Sequence, residues 1–517
     1  MNTYQMVRSA ISVGSITLIS RLFGYVRDIM IAATMGTSML NDIFIIAFRL
    51  ANIFRSLFAE GGLNNVFTPT FTSLLTKNGR KDAIEFAASL RSILTVSLLS
   101  FIAVMMIFMP SVIRIIAPGL SDSSPQYFQL AVHLARIIFP YLFFITLVSF
   151  YGCMLASVNK FSAFSSTPII LNVSMIIAIA LSHFFETPAH ALSYAVILAG
   201  LLELLWMTYS ANLAGLRLPI AKIHLSPTTK KMLCLMIPNV ISSSITQIML
   251  WINTIYASSI VGAVSYFYFA DRIIQLPMAL VGTTISIITL PNLSKAFAVN
   301  DNSKVSYIIT HSICIITLLA LPSLVGLLQL TEEIVEILFM HGKFDHTSLH
   351  NTANTIRVLS FGLPAFMLQK MLTTAFYASK RTTTPMIIAL CTILLQLLIL
   401  TLTFTGTNYI AIAYASIASA WFYIIAAIYC ILRYSLAHFD LRYITTEICK
   451  QAVASAILML FIFITQYSVT HHLPTLYFSY KAPIILLLIA CSAIVYFISL
   501  IVLKSCTIYE IIRKQKI

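Results

Sequence analysis

Charged side chains recur inside stretches that are otherwise apolar enough for lipid. The run Ser20-Arg21-Leu22-Phe23-Gly24-Tyr25-Val26-Arg27-Asp28 is followed by an apolar segment. Then come Asp42, Arg49, Asn52, Arg55 and Glu60-Gly61-Gly62. A charge at the centre of a bilayer costs roughly 2.5–3.5 kcal/mol on insertion scales, so several arginines facing lipid would cost on the order of 10 kcal/mol. They are therefore expected to face a wet cavity inside the protein. A guanidinium presents a planar fork that matches phosphate oxygens two at a time. A cavity lined by several suits an anion, and a diphosphate better than a single carboxylate.

The elements that carry these groups are helices. On the first, Arg21, Gly24 and Asp28 share one face, and Arg27 lies about 120° away on a straight helix. Gly24 allows a local bend that turns both arginines inward. The alternative for Arg27 and Asp28 is a plain membrane–water boundary. On the second helix, Asp42, Arg49, Ser56 and Glu60 form one polar stripe. Asn52 widens it and Arg55 stands at its edge. Internal pairing, for example Asp42 with Arg49, is the competing reading. Glu60-Gly61-Gly62 is expected to loosen the helix.

Composition explains why these groups stand out. Of 517 residues, 59% are hydrophobic and only 9% charged, which no soluble domain shows. Fourteen apolar spans are expected, the first at 10–34 and the last at 482–503. Spans 11 and 12 meet at a tight turn, Thr405-Gly406-Thr407-Asn408. The net charge of +15 lies in short loops, not in a basic domain, so nucleic acid is not expected as a partner. Alternate loops carry the lysines and arginines, which places both termini in the cytoplasm. The eight cysteines form no C-x-x-C pair and read as helix-packing residues. No cleaved signal peptide is expected. There is no phosphate-binding glycine loop and no nucleophile–base constellation, so neither ATP hydrolysis nor any other enzyme activity is expected, and no cofactor.

The chain also repeats itself. Phe67-Thr68-Pro69-Thr70-Phe71 matches Thr289-Leu290-Pro291-Asn292-Leu293, an offset of 222, and Pro140 matches Pro364, an offset of 224. Ala47-Phe48-Arg49 matches Ala270-Asp271-Arg272, which sets Arg272 opposite the first-half arginines. The fold expected is therefore all-α and polytopic: an N-terminal lobe of six spans (1–220), a parallel-repeat C-terminal lobe of six (221–440), and two further spans with a tail (441–517). Parallel repeats hold substrate between the halves.

Ser20-Arg21-x-x-Gly24-x-x-Arg27-Asp28, Asn52-x-x-Arg55-x-x-Phe58-Ala59-Glu60-Gly61, Ala270-Asp271-Arg272 and Gly342-Lys343-Phe344 resemble the MurJ (MviN) family of lipid II flippases over essentially the whole chain. The resemblance implies the fold of the multidrug/oligosaccharidyl-lipid/polysaccharide exporter superfamily. It also implies an inner-membrane protein of peptidoglycan biosynthesis. The implied substrate is lipid II, an undecaprenyl-diphosphate-linked disaccharide-pentapeptide, moved from the cytoplasmic to the periplasmic leaflet by alternating access. By matching position, Arg21, Arg27, Arg55 and Arg272 are implied to hold the diphosphate. Asp28, Asp42, Arg49, Glu60 and Asp271 are left as gating or structural charge partners. Membrane lipids are partners by location, and peptidoglycan polymerases by pathway alone.

Two positions depart from the family pattern. Ala51 stands where proline is common, and Ser56 where a second arginine is common. Some members are thought to hold sodium on carboxylates in spans 7 and 11. The spans here, 232–260 and 384–405, contain no Asp or Glu, so no metal site is expected and membrane potential is the simpler driver. The rival readings are a flippase for another polyprenyl-diphosphate glycan, a multidrug antiporter of the same superfamily, and a non-transporting scaffold of the cell-wall machinery.

Overall fold

A computed structural model describes residues 3–57, 63–219, 221, 226–472, 474, 477 and 480–509. Every regular element among them is helical. In chain order the helices are α1 (Thr3–Met35), α2 (Met39–Arg55), α3 (Asn64–Lys77), α4 (Arg80–Ile107), α5 (Met109–Ile116), α6 (Pro118–Ser123), α7 (Pro125–Ile138), α8 (Tyr141–Ser157), α9 (Ser162–Ala180) and α10 (Pro188–Leu213). They continue with α11 (Pro227–Ala257), α12 (Ala263–Pro277), α13 (Thr284–Ala298), α14 (Asn302–Phe339), α15 (His346–Ser360), α16 (Leu363–Ala378), α17 (Thr383–Thr403), α18 (Ile410–Arg433), α19 (Leu441–His472) and α20 (Lys481–Val502). A single 3₁₀ turn, Ser182–Phe184, follows α9.

Local chemistry sets many of the boundaries. Ser38, Thr187 and Ser226 accept first-turn N–H groups at the starts of α2, α10 and α11. Proline opens α7, α10 and α11, where a missing N–H is harmless. Pro277 closes α12 and leads into one wide π-helical turn, Met278–Thr283, before α13. The turn expected at 405–408 joins α17 to α18 at Gly406, whose φ is +82°.

Ten helical segments among the described residues are long and apolar enough to cross a membrane. The other four expected spans are helical as well. They lie in α1, in α2 and α3 on either side of 58–62, in α11, and in α15 with α16. The glycine break expected at Glu60-Gly61-Gly62 lies outside the described residues.

The duplication reappears in the backbone. Left-handed residues end helices in matched pairs: Gly79 and Asn300, Asn159 and Lys380, Gly215 and Ser435, at offsets of 221, 221 and 220. Such a residue lets the chain turn out of a helix sharply, and it normally favours glycine or asparagine. Lys380 and Ser435 hold that conformation without either side chain.

The chain forms two compact units. Unit 1 comprises Met1–Ser265 with His341–Phe344; unit 2 comprises Tyr266–Met340 with Asp345–Ile517. The division falls at Ser265, so α11 belongs with the first unit although it follows residue 220. In unit 1, α9 packs on α1 and α10, α8 on α10, α3 and α4, and α2 on α7. Phe67 stacks on Phe71 and Phe86 and meets Phe150 at a tilt. In unit 2, α14 is the hub. It packs on α13, α15, α16 and α19, and α19 pairs with α20 around Leu318, Leu330, Leu458 and Tyr496.

Candidate functional site

Unit 1 carries most of the charged stripe. Arg21 is exposed on α1. Arg27, less than two turns on, is 5% exposed. Its Nε and Nη2 donate to Asp28 Oδ1 at 3.0 and 2.7 Å, and its Nη1 donates to Asn172 Oδ1 at 2.8 Å. Asn172, from α9, also donates to the Ser20 carbonyl at 3.0 Å. Gly24 faces Asn172, whose Nδ2 lies 3.5 Å from the position a Cβ would take, an ordinary contact distance. Arg27 and Asp28 are therefore both buried within the protein, with Arg27 reaching Asn172 of α9. Asn172 was not singled out in the sequence. An asparagine inside an apolar span was its only signal.

On α2, Asp42 is 2% exposed. Its Oδ2 accepts the Gly262 N–H at 2.6 Å, and its Oδ1 accepts the Ser265 N–H and hydroxyl at 2.8 and 2.5 Å. These N–H groups lie at the start of α12, where a helix presents unsatisfied donors and the positive end of its dipole. Arg49 donates to Thr254 Oγ1 of α11 at 3.2 Å, and its charge also acts on Asp42. Asp42 and Arg49 are thus neighbours in one field, and each has a further partner on another segment.

The same end of α1 grips a second distant segment. The Lys343 N–H donates to the Ala33 carbonyl at 2.8 Å. Gly36 and Gly342 take φ of +59° and +60°, and a side chain on either would run into the backbone of the other segment. The Gly342-Lys343-Phe344 motif is therefore a backbone docking turn.

Further along α2, Arg55 is half-buried and donates from Nε to Asn52 Oδ1 at 3.2 Å. Ser56 accepts from Gln247 of α11 at 3.1 Å. Glu60 lies outside the described residues. Behind Arg55 stands a group not singled out in the sequence: Glu203 of α10, 1% exposed, which accepts from the Tyr141 hydroxyl of α8 at 3.4 Å. Its signal was a lone acid in an apolar span.

Unit 2 carries Asp271 and Arg272 on α12, both half-buried. Arg272 lies over the Tyr268 ring, 4.7 Å from its centroid, and donates to the Tyr268 hydroxyl at 3.1 Å. This stacking keeps the guanidinium extended along its own helix. Unit 2 also holds Lys370 of α16, which donates to Thr283 at the end of the π-helical turn at 3.0 Å.

An all-helical chain with many apolar spans, carrying arginines on those spans, is a multi-pass membrane protein of the transporter class. Solved structures agree on the fold. One titled "Lipid II flippase MurJ, inward closed conformation" superposes with a TM-score of 0.77 at 22% identity, covering 95% of this chain and 98% of that one. An inward-facing multidrug resistance MATE family transporter of the MOP superfamily superposes with a TM-score of 0.68 at 14% identity, over 82% and 98%. The family model described as "Lipid II flippase MurJ" matches residues 31–479. The "Probable lipid II flippase MurJ" of Rickettsia prowazekii is 37% identical over 81% of this chain and 82% of its own length. That of Rhizobium tropici is 36% identical over 74% and 72%. The chain belongs to the MurJ family.

Proposed function

We propose that the protein is a flippase that moves lipid II across the inner membrane of a bacterium, from the cytoplasmic to the periplasmic leaflet, for peptidoglycan synthesis. The observation that carries this reading is the set of arginines on membrane helices in a chain of this family. Arg21, Arg27, Arg55 and Arg272 are the groups assigned to the diphosphate. Arg21 is exposed and Arg55 and Arg272 are half-buried, so all three have surface to offer a headgroup in this conformation. Arg27 is held by Asp28 and Asn172, and it would have to leave them to touch substrate directly.

The reading includes fourteen spans, lobes at 1–220 and 221–440, a C-terminal pair at 441–517, and cytoplasmic termini. Transport proceeds by alternating access. Asp42, through Gly262 and Ser265, is assigned to hold one end of the pathway shut. Asp28, Arg49, Glu60 and Asp271 are structural or gating charge partners. The polyprenyl tail stays in lipid while the headgroup passes.

The test is complementation of a conditional flippase-null bacterium by wild type, Arg21→Ala, Arg55→Ala and Arg272→Ala, with membrane expression measured for each. Rescue by wild type and failure of the expressed variants is the expected result. Rescue by every variant would remove the arginine mechanism. Failure of well-expressed wild type would shift the substrate to another polyprenyl-diphosphate glycan, since the diphosphate is common to both.

A further inference from the structure

Glu203 is a carboxyl sealed inside a membrane bundle, and its setting on three helices is specific. Gly200, three residues earlier on α10, has no side chain, and the Tyr141 ring of α8 fills that space. The ring's hydroxyl thereby reaches Glu203 at 3.4 Å. Phe54 of α2 packs edge-on against Phe139, two residues before Tyr141, with ring centroids 5.6 Å apart. The next residue after Phe54 is Arg55, whose charge acts on both Glu203 and Tyr141.

Among the described residues, Arg55 and Tyr141 are the ionisable groups that act on Glu203. α10 is packed by α2, α7, α8 and α9, and near its start by the turn Ser182–Phe184. α9 contains no ionisable side chain. α7 brings His133 against His190, which lies about 20 Å along α10 from Glu203 at 1.5 Å per residue. Its Arg136 is exposed and donates to the Met106 carbonyl. Its Tyr127, like Tyr194 and Tyr209 of α10, is exposed. His183 of the turn lies on Phe184. Tyr151 of α8 accepts from Arg91. Asp42 and Arg49 of α2 are engaged with residues 262–265 and Thr254. Cys153 of α8 is engaged with Thr68. Among the described residues, Arg55 and Tyr141 remain.

A buried carboxyl next to one cation is ionised or neutral according to whether that cation is free to balance it. We propose that Glu203 is a proton-binding site coupled to Arg55: when a phosphate-bearing headgroup loads onto Arg55, Glu203 takes up one proton, and when the headgroup leaves, it gives the proton back. With Arg55 empty, its positive field favours the carboxylate. With anionic oxygens on Arg55, that field is cancelled and the neutral acid is favoured. This inference rests on the reading of Arg55 as a headgroup ligand.

The test uses the full-length protein purified in detergent, with farnesyl diphosphate as the probe. Calorimetry in two buffers of different ionisation enthalpy counts protons taken up on binding, and affinity is measured across pH. Wild type should take up as many as one proton more than Glu203→Gln. Over the titration of Glu203 its affinity should fall by up to about tenfold per pH unit relative to that variant, as one linked proton requires. Glu203→Gln should hold its tighter, low-pH affinity throughout. Tyr141→Phe, which removes the hydrogen bond to the ionised form, should move the wild-type pH profile upward without abolishing proton uptake. Equal proton counts and superimposable pH profiles for wild type and Glu203→Gln would overturn the proposal. If Arg55→Gln binds the probe as tightly as wild type, the headgroup reading fails and the proposal with it. If Arg55→Gln loses affinity while Glu203→Gln matches wild type, the proton linkage alone fails.

Discussion

Asp42 Oδ1 accepts both the backbone N–H and the hydroxyl of Ser265, a residue 223 positions further along the chain. The carboxylate of the first repeat thereby caps the helix that opens the equivalent part of the second. Replacing Asp42 with alanine strands two buried N–H groups and a hydroxyl. We expect a stability loss of about 3 kcal/mol, because each buried donor left unpaired costs roughly 1–3 kcal/mol. Ser265→Ala removes only the hydroxyl bond and should cost about 1 kcal/mol. Thermal melts in one detergent check the order. Equal melting temperatures for all three proteins would show that the cap does not hold the fold.

Arg27 and Asp28 are enclosed together, so removing one leaves the other as a buried, uncompensated charge. Asp28→Asn and Arg27→Gln should each cost about 3–5 kcal/mol. The double variant should lose less than the sum of the two. A double-mutant cycle on melting temperature reads this coupling, and strict additivity would argue that the pair does not act as a unit.

Gly36 and Gly342 each place left-handed backbone against the other's segment. An alanine at either position pays about 1–2 kcal/mol for its conformation, and it also pushes the Lys343–Ala33 hydrogen bond apart. Both single variants should lower the melting temperature and reduce rescue in complementation. Gly79→Ala is the control. It also has positive φ, +89°, with an extended ψ of 177° that is at least as costly for alanine, but a side chain there meets nothing within 4 Å. A larger loss at Gly36 or Gly342 than at Gly79 would be due to the docking contact; a smaller or equal loss would count against it.

Arg272 is held by stacking on Tyr268 and by the Tyr268 hydroxyl. Lysine keeps the charge and loses the planar fork. Arg272→Lys should bind farnesyl diphosphate about tenfold more weakly at unchanged melting temperature. Tyr268→Phe, which keeps the ring, should weaken it by less. Equal affinity for all three proteins would remove the fork from the binding argument.

Asp345 caps α15, accepting from the Ser348 N–H at 2.8 Å and from its hydroxyl at 2.6 Å. These bonds hold its carboxyl below the usual range. A pKa depressed in the folded state adds stability above the unfolded pKa, near 3.9, and this is lost as pH falls through the folded pKa. Asp345→Ala should therefore cost about 1 kcal/mol at neutral pH, as lost caps do. The gap in melting temperature should close in acid, and a gap independent of pH would count against the cap.

Much of this was legible in the residues. An apolar chain cannot leave backbone groups unpaired in lipid, so helices were required, and every regular element among the described residues is one. The duplication was legible as offset motifs and reappears as matched left-handed helix ends. The arginines stood out because charge in a membrane needs a reason, and all of those described lie on helices. The partners of those charges were not legible. Asn172, Ser265 and Tyr141 are 145, 223 and 62 residues from the groups they bond. Periodicity says which face of one helix is polar, and nothing about which distant helix it meets.

Composition and spacing were thus enough for the class, an all-helical membrane protein, because the bilayer imposes length and polarity on each segment separately. Packing settled the rest. Arg27 is enclosed while Arg21 is exposed, Asp42 caps α12 from the far end of the first repeat, and Glu203 lies behind Tyr141. Each of these depends on how closely two helices approach. That distance is set by small residues such as Gly200, against which the Tyr141 ring packs.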